Sequence, residues 1–134
     1  MEILVLAIVT GLVFMAGDFF MIPMVMRPLF QEHLGTQMLD TLRLTPAFLF
    51  YVIHIAGLVY FAGMPAMRDG SATTALVNGA LIGLIAYSCY EMTSYTIMRD
   101  WSVRLVAVDL TWGVVISGLS AWLGALAAMW WVAR

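Results

Sequence analysis

Four apolar runs, each long enough to cross a bilayer as a helix and joined only by short polar connections, fix what this chain can become. A helix needs about 20 residues to span the hydrocarbon. The runs cover about residues 3–26, 46–66, 73–98 and 102–132. In lipid every backbone amide must be satisfied inside its own segment, so these runs have to be helices. A composition of 63% apolar and 10% charged residues is more than one small water-facing domain can bury. The expected fold is an all-α membrane protein, an antiparallel four-helix transmembrane bundle forming a single domain over residues 1–134. The first run, opening MEILVLAIVTGLVF, carries Glu2 where a cleaved signal would be basic, and reads as a retained span. The fourth run is too long for an upright crossing, which predicts a tilt or an end near Gly124.

The connections differ in kind. Residues 67–71 (MRDGS) and 99–102 (RDWS) are tight turns. Residues 27–46 form the longest connection, with Phe30, Leu34, Met38 and Leu42 recurring every four positions and Gln31, Glu32, Asp40 and Arg43 on other faces. That spacing predicts a short interfacial helix between spans one and two. There is no Lys, and with four antiparallel spans Arg27, Arg43, Arg99 and Arg104 fall on one side against Arg68 and Arg134 on the other. The positive-inside rule then places the first and third connections in the cytoplasm and both termini on the periplasmic side of a bacterial inner membrane. Trp101 at one end and Trp130 with Trp131 at the other read as interfacial anchors. No basic patch suggests nucleic acid. The lone Cys89 reads as a small buried side chain, and the eleven Met residues as packing.

Against this apolar background four ionisable residues stand inside the spans, one in each: Asp18, His54, Glu91 and Asp109. Counted from the ends of their spans, at 1.5 Å per residue, they lie about 10–14 Å below the same membrane face. A charge at the bilayer centre costs about 2.5–3.5 kcal/mol on insertion scales. The acids are therefore expected to face inward, protonated, hydrogen-bonded, paired or reached by water. Gly79 and Gly83 make a GxxxG pair that allows close helix approach, with Tyr87, Tyr90 and Ser94 near that stripe and Glu91 at its flank. Trp112 and Gly113, one turn from Asp109, are placed to wall the same space. The expected ligand-binding set is Asp18, His54, Tyr87, Tyr90, Glu91, Asp109 and Trp112. Arg99 and Arg104 flank the entry, where snorkelling to headgroups is their commoner behaviour. One His and three carboxylates have the donor chemistry for a single metal ion. The Glu-x-x-His, HExxH and CxxC spacings that mark metal sites are absent, however, and no cofactor is indicated.

The stretch from Pro65 to Gly113 resembles a family of small bacterial membrane proteins catalogued as domain of unknown function 2177. The resemblance rests on Pro65-Ala66, Gly70-Ser71, Gly79-Ala80, Gly83-Leu84, Ala86-Tyr87, Tyr90, Thr93, Arg99, Trp101, Asp109 and Trp112-Gly113, with Leu34-Gly35 and Asp18 earlier in the chain. Glu91 and Ser94 stand where the family tends to have Asp and Asn. The resemblance implies a four-span inner-membrane protein and carries no activity with it.

Three functions remain open on these grounds. The leading expectation is an integral membrane protein whose buried carboxylate layer binds or processes a small or lipophilic ligand. The second is a non-catalytic accessory subunit of a larger membrane complex. Proton-coupled transport ranks lower, because the far half, including Leu6, Ile8, Val59 and Val115, looks dry. A homo-oligomer would supply a path that one chain lacks. No residue earns a catalytic role from the sequence.

Overall fold

The computed structural model describes residues 1–134. It contains four long apolar helices: α1 (Glu2–Gln37), α2 (Leu44–Asp69), α3 (Ala72–Ile97) and α4 (Val103–Val132). They form an antiparallel bundle with no strand. Dozens of large apolar side chains on the outer surface are exposed, among them Leu12, Phe19, Ile53, Ile85 and Val103. An exterior of that kind suits acyl chains, not water.

Two prolines shape the helices. A proline lacks the amide that would bond residue i−4, and its ring crowds that carbonyl. The turn before Pro28 widens into a π-helix at Ile22–Met26, and the turn before Pro65 does the same at Val59–Gly63. Pro65 frees the carbonyl of Phe61, and the Asn78 side-chain amide donates to that oxygen at 3.1 Å. Pro46 sits in the first turn of α2, where a missing amide has no partner to lose.

The α3–α4 seam is the tightest part of the bundle. On α3 the buried residues Ala75, Gly79, Gly83, Tyr87 and Glu91 repeat every four positions. On α4 Leu105, Asp109, Gly113, Ser117, Ala121 and Ala125 do the same. The helices run antiparallel with these stripes face to face. A Cβ on Gly79 would meet the Ser117 carbonyl and the Ala121 methyl, one on Gly83 the Gly113 carbonyl, and one on Gly113 the Tyr87 ring. Backbones packed this closely gain dispersion and weak hydrogen bonds, the forces available between helices in lipid. Continued one turn, the same register sets Glu91 opposite Asp109. Glu91 is thus on the small-residue stripe itself, while Tyr90, expected there, lies at its edge and is half exposed.

α1 packs against α4 through Gly17, which abuts Ile116 and Trp112, and through Gly124, which abuts Thr10 and Leu6. α4 is continuous from Val103 to Val132 and does not end near Gly124. The glycine serves close approach to α1, and the helix, about 45 Å long at 1.5 Å per residue, exceeds the hydrocarbon thickness.

The helix expected between the first two spans is present at Arg27–Leu34, as an unbroken extension of α1. Its α-helical part ends at Gly35, whose φ is +52°, and a single 3-10 turn over Gly35–Gln37 closes it, so Met38 and Leu42 are not part of it. Its Leu29, Phe30 and Leu34 cover Trp101, Leu105 and Val106 at the start of α4. Gln37 donates to Asp100 at 2.9 Å, and Arg104 lies 3.8 Å from Glu32. These contacts put the first and third connections at one end of the bundle. At the other end the α2–α3 turn uses Gly70 in the left-handed region, and Arg134 lies 3.6 Å over the Trp130 ring.

Gly83→Ala should destabilise the fold by about 1–3 kcal/mol, the usual range for overpacking. Gly57→Ala adds the same methyl group where nothing lies within 4 Å and should be close to neutral. Thermal unfolding of both variants in maltoside micelles checks the difference; equal midpoints would mean that the α3–α4 seam is not tightly packed.

Candidate functional site

Asp18 is buried in α1 and accepts two hydrogen bonds from other helices, from the Tyr51 hydroxyl of α2 at 2.9 Å and from the Trp112 indole N–H of α4 at 2.7 Å. One carboxylate thus ties three spans together. Glu91 is fully buried, and its Oε2 accepts the Trp101 indole N–H at 2.7 Å. Its Oε1 has no donor within the chain. Asp109 faces Glu91 across the α3–α4 seam.

A cavity of about 540 Å³ opens beside these groups and is lined from all four spans. α1 contributes Asp18, Ile22, Met26 and Phe30; α2 contributes Ala47, Phe50 and Tyr51. α3 contributes Ala86, Tyr87, Cys89 and Tyr90, and α4 contributes Asp109 and Trp112. Of the 13 lining residues 11 are hydrophobic, and the two exceptions are both carboxylates. The cavity exists because the first half of α2 stands away from the bundle: every residue from 41 to 50 is exposed. Cys89, expected to be buried, is exposed on the α3 side of this cavity.

The expected site residues separate into three groups. Asp18, Tyr87, Tyr90, Asp109 and Trp112 line the cavity. Glu91 lies behind Asp109 and is closed off. His54 is buried one turn away from Tyr51, with its Nε2 2.9 Å from the Ser117 hydroxyl and its ring stacked on Phe50 at 5.2 Å. The four ionisable groups therefore do not form a single ring. No three His, Cys, Asp or Glu side chains are grouped so as to hold a metal ion, since His54 is turned to Ser117.

Trp101 is a correction to the interfacial reading. It is buried between Phe30 and Tyr90, with ring centroids 5.6 and 5.5 Å away, because Glu91 needs a donor and the α1 extension covers it. The methionines divide: Met26 is buried and Met64, Met67 and Met129 pack against the core as expected, while Met1, Met15, Met24, Met92 and Met98 are exposed on the surface. Ile8 and Val115, taken for dry interior, also point outward; the far interior is built instead from Leu6, Leu58, Ala62, Ala125 and Ala128. Tyr51 and Phe50 were missed as site residues. A signal for Tyr51 existed: a buried carboxylate needs donors, and Tyr51 stands three positions from His54 on the same inward face.

A membrane-embedded four-helix bundle with a mostly apolar cavity that holds two carboxylates is the class these features define. Residues 3–126 match the family model described as "Predicted membrane protein (DUF2177)", and the chain belongs to that family. No curated protein and no solved structure matches it.

Trp101→Phe removes the donor to Glu91 and should destabilise the fold by about 1–2 kcal/mol. In a Glu91→Gln background the same change should have a smaller effect, because no buried carboxylate is then left without its donor. A double-mutant cycle read by unfolding in detergent checks this, and strict additivity would show that the bond carries no coupling.

Proposed function

We propose that this protein binds a lipophilic or amphipathic ligand taken laterally from the bilayer into the cavity between α2 and α3. The observation that carries the reading is the cavity itself: about 540 Å³, apolar on nearly all sides, with Asp18 and Asp109 as its two polar fixtures. Sites for small molecules have this character, a mostly apolar pocket of about 300–1,000 Å³ with a few placed polar groups that set orientation. The lateral opening suits a ligand already dissolved in lipid. Intramembrane ionisable groups facing a cavity are a general mark of function. The arginine distribution supports placing the cavity toward the cytoplasmic face of a bacterial inner membrane. Arg27, Arg43, Arg99 and Arg104 stand at the end nearer the cavity, and Arg68 and Arg134 at the other.

Purification in mild detergent, organic extraction and mass spectrometry test the reading. Wild-type protein should carry a lipophilic species enriched over bulk lipid. Ala86→Phe, which fills the cavity from the α3 side, should reduce that species about tenfold or more, while the helix content stays the same. Equal recovery from both proteins would remove the binding function.

A further inference from the structure

Resting on the reading of the cavity as a lipophile site, we propose that its ligand is a cationic amphiphile. The geometry points to an ammonium group seated between Asp18, Asp109 and the aromatic walls, with its apolar stem leaving through the gap between α2 and α3. Several independent observations converge on this chemistry.

The first is charge. The lining residues include two acids and no base, and the chain's six basic residues are all Arg at the ends of spans or in connections. Glu91, fully buried behind Asp109, adds a third acid to the same neighbourhood. No Lys or Arg lines the cavity, so these acids have no cationic partner in its wall. A ligand carrying one positive charge supplies it.

The second is the pair of polar groups left over inside the cavity. Asp18 is occupied by Tyr51 and Trp112. Asp109 and Tyr87 are each only 9% exposed and line the cavity, yet neither the Asp109 carboxylate nor the Tyr87 hydroxyl is hydrogen-bonded to a donor within the chain. A buried polar group without a partner is costly, and both present oxygen to whatever enters.

The third is the wall. Six of the thirteen lining residues are aromatic: Phe30, Phe50, Tyr51, Tyr87, Tyr90 and Trp112. Phe50 and Tyr87 meet edge to face with centroids 6.3 Å apart, so ring faces and edges turn different ways around the space. Aromatic faces backed by carboxylates are the general solution for holding ammonium groups. The same lining disfavours a zwitterionic phospholipid head, because its phosphate would lie against carboxylates with no Arg or Lys in the wall to receive it.

The test uses the full chain in maltoside micelles and reads the change in tryptophan fluorescence that a Trp112→Phe control lacks, since the Trp112 indole lines the cavity. The probes are decyltrimethylammonium, its uncharged isostere with carbon in place of nitrogen, and tetramethylammonium. Wild type should bind the decyl cation at least about tenfold more tightly than the isostere, and tetramethylammonium far more weakly than either. Asp109→Asn should lose that preference while still binding the isostere, which shows that the cavity remains formed. Asp109→Glu, which keeps the charge, should retain the preference.

If wild type binds the cation and the isostere equally, the ammonium assignment is overturned and the lipophile site stands. If neither decyl probe binds wild type better than Ala86→Phe, both fall together. If tetramethylammonium binds as well as the decyl cation, the ligand is a soluble cation and the amphiphile is excluded.

Discussion

A carboxylate in the hydrocarbon has to find its hydrogen-bond donors inside the protein, and the arrangement of this bundle follows from how two of them do so. Asp18 draws a tyrosine from α2 and a tryptophan from α4. Glu91 draws a tryptophan from the short α3–α4 connection and is then covered by the extension of α1. Individual interhelical hydrogen bonds in membranes average only about 0.6 kcal/mol, far less than the insertion cost of about 2.5–3.5 kcal/mol per charge. Stability alone therefore does not account for three acids in so small a bundle. Two of them, Asp18 and Asp109, line one cavity, and the third lies behind Asp109.

The seam of small residues sets the geometry in which those acids meet. Glycine at positions 79, 83 and 113 brings the α3 and α4 backbones close enough that the register has little freedom, since each added methyl group would strike backbone or ring. That register carries Glu91 to Asp109. A shift of one residue would rotate both acids off the seam by about 100°, the angular step of an α-helix. Packing in the tight part of the bundle thus positions the polar groups of the open part.

Much of this was legible in the sequence. Hydropathy showed four helices. The four-residue steps from Ala75 through Gly79 and Gly83 to Tyr87 showed a close-packed face, and extending them by one step reaches Glu91. Asp18, Asp109 and Trp112 stood out because polar groups within apolar runs need partners. What could not be read were facts of three-dimensional pairing. Trp101 looked like an anchor because tryptophan at the end of a span usually is one, and only the fold shows the α1 extension lying over it. His54 has the right depth but the wrong facing, since its nitrogen meets Ser117, a residue 63 positions away. Cys89 stands only two positions from buried Tyr87, and two steps of 100° take it to the outer side.

The cavity itself follows from a gradient in side-chain size along the bundle. In the half near the termini, α1 and α2 approach through glycine: Gly11 meets Ile55, and Gly63 meets Leu6. Ala62, Ala66, Ala125 and Ala128 fill the same half, so the helices close. In the other half the residues between α1 and α2 are Phe14, Phe50 and Tyr51, with centroids 5.7–6.5 Å apart, and these rings hold the helices apart. In water such a wedge would be driven shut by the hydrophobic effect. In lipid that force is absent between helices, because acyl chains solvate an apolar gap as well as another helix would. Small residues at one end and aromatic rings at the other therefore suffice to keep a pocket open, with the carboxylates of Asp18 and Asp109 in its wall.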